Sequence, residues 1–183
     1  TMSVVESKLR MGTKAINFEN RYRCTDGRYR WLSWVSHPNP ENGVTYAVAR
    51  DVTDWKETEK KLKKSKTLLD ATGRMARVGG WELDARTLEV SWTDETYRIH
   101  ELPFDYKPPL QEAINFFHPD DRERLSEAIQ LAMNEGQPYD MEIRFITAKE
   151  NHLWTRTLCE PEVKNGKVVK LRGMFQDITE RKL

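Results

Sequence analysis

An internal repeat is the feature that most limits how this chain of 183 residues can fold. Matching residues of the two copies lie 123 positions apart, in the pairs Glu19 and Glu142, Arg21 and Arg144, and Trp31 and Trp154. Asp51 and Asp177, near the ends of the copies, lie 126 positions apart, so the second copy contains three extra residues. Such a repeat indicates two copies of one supersecondary unit.

Each copy predicts a meander of three antiparallel strands. In the second copy Met141, Ile143 and Phe145 alternate with Glu142 and Arg144, which is the two-residue period of a strand with one buried face. Its three strands are expected at about residues 139–147, 152–163 and 167–176. Residue pairs that favour tight turns separate the strands, at Asp26-Gly27, Asn42-Gly43 and Asn165-Gly166.

A different pattern precedes the second copy. Residues 80–92 predict a short hairpin, and residues 93–100 predict a small helix with Thr93 as its N-cap. The longest helix is expected between Pro119 and Gly136, because proline suits the first helical position and glycine suits the end. The order is therefore two strands, small helices, a long helix and three strands.

This order of elements resembles a PAS domain with its C-terminal PAC half. The resemblance rests on the segments GGWELD, SWTDETYRIHEL, FFHPDDRERL, MEIRFITAKENHLW and GMFQDITERK. It implies an α+β fold with short helices on one face of a five-stranded antiparallel sheet, preceded by a partial PAS meander and a linker helix. The expected domains are the PAC half of a first PAS domain at residues 1–54, the linker at 55–76 and a complete second PAS domain at 77–183.

The first copy is incomplete, because it lacks the hairpin and the small helices. Val4, Val5 and Leu9, before Gly12, correspond to the end of the long helix. In the family the last strand lies centrally in the sheet, so the strand near residues 46–50 should have an unpaired edge. We expect that edge to be covered by a symmetry mate, by the linker helix or by further chain.

The linker is rich in helix-forming residues, and Trp55, Leu62, Leu69 and Ala76 recur every seven residues. Two interpretations fit this narrow seam. The helix dimerises and transmits rotation or register, or it is solvated and packs on its own sheet. In the family an Asp-(Ile/Val)-Thr triplet closes the last strand and leads into an outgoing helix. The expected relay residues are Asp51, Thr53, Trp55, Leu62, Leu69, Asp177 and Thr179.

Composition argues against several classes of function. The net charge is +1, and the six lysines between Lys56 and Lys66 lack interleaved aromatic residues, so we expect no nucleic-acid partner. No apolar run approaches 18 residues, so no membrane contact is expected for this segment, although a longer parent could be membrane-anchored. Cys24 and Cys159 lack zinc-ligand spacing and are expected to be free thiols in a cytoplasmic protein.

The sequence contains no catalytic motif of the kinds considered. A Gly-rich phosphate loop, Gly-x-Ser-x-Gly and His-Glu-x-x-His are all absent, as are the phospho-accepting helix and ATP-binding domain of a histidine kinase. Haem-binding PAS domains use a histidine on the long helix, and residues 120–135 contain none. Light-sensing relatives use a cysteine in an Asn-Cys-Arg-Phe-Leu context that neither cysteine has. We expect a non-catalytic segment with no metal, haem or flavin adduct.

A small-molecule pocket between the sheet and the short helices is the remaining option for a binding site. Its candidate lining residues are large and apolar: Trp81, Trp92, Tyr97, Ile99, Phe116, Phe117, Ile129, Phe145, Trp154 and Phe175. The same side chains suit a core filled by its own residues. That second interpretation is favoured, because no convergent polar group stands out in the sequence.

The resemblance implies a sensory, signal-relay and dimerisation module of a multidomain signalling protein. A homodimer with a downstream output domain is expected, and a sensor histidine kinase is the expected parent. Three alternatives remain open: a PAS sensor that binds a small molecule or cofactor, a constitutive protein–protein interaction platform, and a PAS module of a cyclic-di-GMP enzyme.

Overall fold

The computed structural model describes residues 16–39 and 41–182. The chain divides into two compact units, residues 1–66 and 67–183. The helical turns expected before Gly12 lie outside the described residues.

The first unit contains an antiparallel sheet of three strands in the order β1-β2-β3. They are β1 (Ile16–Arg23), β2 (Tyr29–Asn39) and β3 (Val44–Asp51), followed by helix α1 (Thr53–Ala76), whose second half belongs to the second unit. Gly27 and Gly43 turn the chain between the strands with φ of 82° and 68°, a region that glycine enters without steric penalty. The meander predicted for the first copy is thus present.

The strand β3 is exposed along its whole length. Among the described residues it pairs only with β2, so the unpaired edge predicted from the sequence is present there. The side chain of Val48 is 72% exposed, and Tyr46 and Val44 lie on the same face of the strand. What covers this edge stays a prediction.

Comparing equivalent positions of the two copies shows why the first sheet has little hydrophobic core of its own. Leu171 and Phe175 of the second copy are buried, whereas the equivalent positions of the first copy are Thr45 and Ala49. Of the first-unit side chains whose burial the structure describes, only that of Ser36 is buried. A sheet that buries so little apolar surface gains little stability from it.

The second unit contains a five-stranded antiparallel sheet in the order β5-β4-β8-β7-β6. Its strands are β4 (Val78–Asp84), β5 (Val90–Trp92), β6 (Tyr139–Ile146), β7 (His152–Lys164) and β8 (Lys167–Asp177). Its complete helices are α2 (Asp94–His100), α3 (Leu110–Asn115), α4 (Pro119–Glu135) and α5 (Thr179–Lys182). The last strand pairs with both β4 and β7, and the three strands predicted from the repeat end within one residue of the observed bounds.

Helix ends follow the predicted signals with one correction. Thr93 occupies the N-cap position of α2, but its hydroxyl makes no capping bond and instead accepts a hydrogen bond from the Gly80 amide at 2.9 Å. The helix is therefore anchored to β4 by this residue. At α4, Pro119 lies in the first turn and Gly136 ends the helix with φ of 68°.

One face of the second sheet carries the hydrophobic core beneath α2, α3 and α4. The sheet contributes the buried side chains of Leu83, Ile143, Phe145, Cys159, Leu171 and Phe175, and α4 contributes Leu125, Ile129 and Ala132. The rings of Phe145 and Phe175 meet edge to face with centroids 5.0 Å apart. The helices and the sheet thus enclose a space rich in aromatic rings.

Candidate functional site

The end of each sheet carries the same hydrogen-bonded junction. In the second unit, Asp177 Oδ1 accepts from the amide and the hydroxyl of Thr179, at 2.9 and 2.6 Å. The Thr179 hydroxyl in turn accepts from the amide of Trp154 at 3.0 Å. One carboxylate and one hydroxyl therefore hold the start of α5 against the neighbouring strand β7.

The first unit repeats this geometry closely. Asp51 Oδ1 accepts from the amide and the hydroxyl of Thr53 at 3.0 and 2.6 Å, and the Thr53 hydroxyl accepts from the Trp31 amide at 2.9 Å. The Thr53 hydroxyl, its amide and Arg30 together lower the pKa of the Asp51 carboxyl to about 2. The carboxylate is thus ionised at neutral pH, which suits its role as an acceptor.

Each junction also contains a glutamate, a lysine and a tryptophan that the sequence argument did not connect. Glu19 pairs with Lys56 at 2.6 Å in the first unit, and Glu142 pairs with Lys182 at 2.7 Å in the second. The Lys182 ammonium lies 5.0 Å from the centre of the Trp154 ring, and Lys56 lies 5.7 Å from the Trp31 ring. We call these two arrangements the first and second junctions.

The repeat could have revealed this arrangement. Lys56 and Lys182 lie 126 positions apart, the same offset as Asp51 and Asp177. The lysine follows its aspartate by five residues in each copy, which places both at the start of the outgoing helix.

Arg77 joins the incoming helix α1 to the second junction. Its guanidinium lies 2.7 Å from Glu180 and 3.6 Å from Asp177, and its carbonyl oxygen accepts from the Asp177 amide at 3.1 Å. Next to it, the Gln176 side chain donates to the carbonyl of Ala76 at 3.4 Å. The end of α1 thus contacts the end of β8, and Arg77, the residue after α1, contacts the start of α5. The sequence argument missed Arg77, although a basic residue just past a helix end suits the helix dipole.

The apolar residues of α1 point to solvent. No residue of α1 is buried, and Leu62 and Leu69 are each 70% exposed, with Trp55 exposed as well. Thr58 and Thr72 donate their hydroxyl hydrogens to the carbonyls of Asp54 and Leu68, so these seam hydroxyls are satisfied within the helix. The seam therefore offers exposed apolar side chains beside two threonine hydroxyls that are already hydrogen-bonded.

A cavity lies between the inner face of the second sheet and the helices α2, α3 and α4. The cavity measures about 560 Å³ when the solvent at its open mouth is included. The centre of a water molecule can occupy only about 60 Å³ of it. Its walls are mainly apolar, formed by Trp81, Leu83, Val90, Trp92, Thr96, His100, Leu110, Ala113, Ile114, Phe117, Leu125, Ile129, Tyr139, Thr157, Leu171 and Phe175.

The structure places half of the candidate lining residues on this wall. Those that line it are Trp81, Trp92, Phe117, Ile129 and Phe175, and those that do not are Tyr97, Ile99, Phe116, Phe145 and Trp154. Phe145 is fully buried in the core behind the wall. Trp154 lies on the opposite face of the sheet, because side chains alternate along β7 and its neighbour Thr155 is buried.

Polar wall residues were missed by the sequence argument, and His100 is the most informative of them. It is 3% exposed, and burial lowers the pKa of its ring to about 4. Burial raises the pKa of the Tyr139 hydroxyl, which also lines the cavity, above its ordinary value, and raises that of the Cys159 thiol in the core to about 12. All three groups are therefore uncharged at neutral pH.

Cys24 and Cys159 are both free thiols. Within residues 16–39 and 41–182, no group of three or more His, Cys, Asp or Glu side chains is placed to hold a metal ion. The helices in this described part of the chain are too short or too polar to cross a membrane.

Comparison with known proteins identifies the second unit. Residues 89–175 match the family model described as the PAS fold. The second unit is a PAS domain. Its five-stranded sheet, with a central last strand and helices on one face, is the architecture expected from the resemblance.

Curated relatives of this PAS domain belong to signalling proteins. The chain is 26% identical over 171 residues to the probable diguanylate cyclase DgcE of Escherichia coli, which covers 91% of the chain. It is 30% identical over 108 residues to the sensor protein FixL of Bradyrhizobium diazoefficiens, which covers 57% of the chain. The chain spans only 15% and 21% of the lengths of these two proteins.

Solved structures show the same fold. A domain of a putative light and redox sensing histidine kinase from Haloarcula marismortui has a TM-score of 0.51 and 26% identity, covering 64% of this chain and 99% of that one. The N-terminal domain of a diguanylate cyclase with a PAS/PAC sensor from Marinobacter aquaeolei has a TM-score of 0.54 and 16% identity, covering 58% and 99%. Domains with this fold thus occur in proteins of both descriptions.

Proposed function

We propose that this chain is a signal-relay and dimerisation segment of a multidomain sensor protein. Its first part would be the C-terminal half of another PAS domain, and α1 would be the connector between the two. A change in the pairing or register of α1 would pass through the second PAS domain into α5 and then into an output domain.

The duplicated junction is the observation that carries this proposal. Both copies use an Asp–Thr pair, a Glu–Lys ion pair and a tryptophan to fix a helix onto the end of a sheet. Arg77 then connects the end of α1 to the start of α5 through Asp177 and Glu180. Because α1 and α5 meet at one end of the same sheet, a shift of α1 can be passed on to α5. A coupling free energy of about 1–3 kcal/mol between the two helices suffices for regulation.

The exposed seam of α1 supports a homodimer. Leu62 and Leu69 lie one heptad apart and are largely exposed, which is the arrangement that a second α1 helix would cover. In sedimentation experiments the unaltered chain should be a dimer. The double variant Leu62→Glu with Leu69→Glu should be a monomer.

A matched control uses another face of the same helix. Lys64→Glu with Ala71→Glu places two carboxylates one heptad apart, away from the seam. This control should remain a dimer. A dimer that survives the two seam substitutions would contradict pairing through α1.

The relay itself is tested in the full-length parent protein. Removing residues 63–65 shifts the helical phase, whereas removing residues 60–66 keeps the heptad in register. The three-residue deletion should invert or abolish the output, and the seven-residue deletion should leave it regulated. Unchanged output after the three-residue deletion would contradict the relay.

Arg77 offers a second test of the relay. Arg77→Ala removes an exposed ion pair, so its effect on unfolding free energy should stay below about 1 kcal/mol, while the response of the output to the signal should fall. Arg172 is matched in exposure and also pairs with two carboxylate groups, but it lies on the sheet away from α1. Arg172→Ala should leave the response intact, and equal effects of both variants would contradict a special role for Arg77.

We propose a sensor histidine kinase as the parent, in the cytoplasm or on the cytoplasmic side of a membrane. A diguanylate cyclase is the second candidate parent. The alignment to DgcE, which extends over 91% of the chain, supports this alternative. Phosphate transfer from ATP and conversion of GTP to cyclic di-GMP by the full-length protein distinguish the two.

A second candidate function is the binding of a small molecule in the cavity of the PAS domain. The apolar walls and the buried imidazole of His100 favour it over a core filled by its own side chains. Native mass spectrometry of the purified chain, compared with its denatured mass, tests whether a ligand is retained.

A further inference from the structure

The net charge of +1 conceals a large difference between the two units. Residues 1–66 contain 14 lysine and arginine residues and 8 aspartate and glutamate residues, whereas residues 67–183 contain 16 and 21. The first unit therefore has an excess of six positive charges and the second an excess of five negative charges. Because a strongly basic unit attracts anions, an anionic ligand is expected on the first unit and not on the second.

An open crevice of the first unit gathers several of these charges. It lies between the first turns of α1 and one face of the sheet, and it measures about 1230 Å³ when the solvent at its open side is included. Its cationic residues are Arg21, Lys56, Lys60 and Lys63, and its anionic residues are Glu57 and Glu59. The crevice therefore keeps an excess of positive charge.

The helix places its lysines along the crevice at a regular spacing. Lys56, Lys60 and Lys63 follow one another by four and three residues, which puts them on one face of α1. Lys61 and Lys64 have the same chemistry but do not line the crevice. The run of lysines is thus divided between this face and others.

Two of the cations are available to a ligand. Among residues 16–39 and 41–182, neither Lys60 nor Arg21 has an ion pair, whereas Lys56 pairs with Glu19 at 2.6 Å. The Arg21 guanidinium lies 4.7 Å from the centre of the Tyr29 ring. A guanidinium held on a ring in this way keeps N–H groups that can donate to an oxyanion. Lys60 on the helix and Arg21 on the sheet thus form two opposite walls.

The sheet wall of the crevice also supplies aromatic rings. Arg21 of β1 is the partner of Trp31 of β2 in the sheet register, and Tyr29 lies two residues from Trp31, so all three side chains share one face. The Tyr29 side chain is 52% exposed. The rings that the sequence does not interleave with the lysines are therefore provided by the adjoining strand.

Rings beside available cations favour a ligand that joins a flat aromatic group to several negative charges. A nucleotide has this chemistry, because its base can stack on an exposed ring and its phosphates accept from ammonium and guanidinium groups. A simple carboxylate carries one charge, and inorganic phosphate has no ring to stack. Each of these would use only part of the crevice.

We propose that this crevice binds a nucleoside di- or triphosphate, with the base against Tyr29 and the phosphates between Arg21, Lys60 and Lys63. The proposal goes beyond the relay described above. It uses neither the cavity of the PAS domain nor the apolar seam of α1.

ATP, adenosine and inorganic tripolyphosphate separate the two halves of such a ligand. Titration calorimetry of the whole chain in low salt, where screening is weak, measures each affinity. ATP should bind at least about fivefold more tightly than tripolyphosphate, and adenosine should bind more weakly than either. Equal affinities for ATP and tripolyphosphate would show that charge alone is recognised, and would overturn the proposal.

Two pairs of lysines on α1 give a matched comparison. Lys60→Ala with Lys63→Ala removes two charges from the crevice, and Lys61→Ala with Lys64→Ala removes two charges of the same spacing from outside it. Alanine is a good helix former, so both double variants should unfold at the same temperature as the unaltered chain. The first should weaken ATP binding at least about tenfold and the second less than about threefold. Equal weakening by the two pairs would contradict a site in the crevice.

Tyr29 tests the position of the base. Tyr29→Leu should weaken ATP binding at least about threefold and change the affinity for tripolyphosphate less than about twofold. In the unaltered protein, NMR should show the backbone amide resonances of Tyr29 and Lys60 move when ATP is added. Resonances that stay in place, or no binding of ATP, would also overturn the proposal. None of these results bears on dimerisation through α1, which the seam variants test separately.

Discussion

At the scale of single residues, Thr179 shows how one hydroxyl can hold an element in place. It donates to Asp177 and accepts from the Trp154 amide, so its removal takes one bond from Asp177 and leaves the Trp154 amide without its acceptor. We expect Thr179→Val to lower the free energy of unfolding by about 1–2 kcal/mol. Urea denaturation followed by tryptophan fluorescence measures this loss.

Thr179→Ser is the matched control, because it keeps the hydroxyl and loses only a methyl group. It should retain most of the stability of the unaltered protein. Equal losses in the valine and serine variants would show that packing, and not the hydrogen bonds, matters at this position.

His100 predicts a pH dependence of stability with a definite sign. The pKa of the ring is about 4 in the folded chain and about 6.5 when unfolded, so the unfolded chain binds a proton more readily between these values. The stabilisation is complete above about pH 6.5 and declines as the pH falls towards 4, by a total of about 3 kcal/mol. In His100→Phe this decline should be absent from the same interval.

Other groups near His100 do not alter that sign. Glu101 accepts from Thr147 and Asn151, Glu95 pairs with Arg98, and the surfaces from β5, β6 and β8 that pack on the ring are aromatic. Carboxylates titrate in both proteins, so the difference in unfolding free energy between the two, measured from about pH 4.5 to 7.5, isolates the histidine. A difference that does not vary with pH would contradict the prediction.

At the scale of elements, Gly173 permits the close approach of β7, β8 and Trp81. A Cβ atom at this position would overlap the carbonyl oxygen of Leu158 and crowd the Trp81 ring. We expect Gly173→Ala to lower the unfolding free energy by about 3 kcal/mol or more, because a backbone atom cannot move aside without parting the strands.

Gly80 provides the control for this substitution in the adjacent strand β4. Its Cβ would meet a side-chain atom, the methyl group of Thr93, at 3.2 Å, and a shift of a few tenths of an ångström would relieve the contact. Gly80→Ala should therefore be much milder in thermal and urea unfolding. Similar losses at both positions would mean that glycine is needed in these strands for a reason other than close approach.

At the scale of the whole molecule, the two units differ in how much they bury. Among the first-unit side chains whose burial is described, only Ser36 is buried, whereas the second unit contains a continuous core. We expect a fragment of residues 67–183 to fold alone, with a melting temperature within about 5 °C of the second unit's transition in the full chain.

Tryptophan fluorescence can report the two units separately. Trp31, Trp34 and Trp55 lie in the first, and Trp81, Trp92 and Trp154 lie in the second. Calorimetry of the whole chain should show a separate, lower transition that the fragment lacks. One shared transition would mean that the units stabilise each other.

Local patterns were enough to predict most of the fold. Side-chain alternation, turn pairs and helix-end signals depend on neighbours a few residues away, so the strands of the repeat, the long helix and the α1 helix follow from the sequence. The duplicated Asp–Thr pairs likewise marked both junctions. The prediction that Thr93 caps α2 was wrong, because the Thr93 hydroxyl accepts a hydrogen bond from the Gly80 amide of β4. That contact lies outside the local pattern from which the cap was predicted.

The sequence by itself therefore determined the order of elements, the two copies and the place of each outgoing helix. Only the tertiary structure decided that His100 is buried among aromatic rings and that Arg77 contacts the start of α5. His100 meets aromatic rings from three strands, and Arg77 meets Glu180 more than a hundred residues away. Such contacts depend on how distant segments pack together. The helical and strand periodicities of the sequence describe only neighbouring residues and cannot predict them.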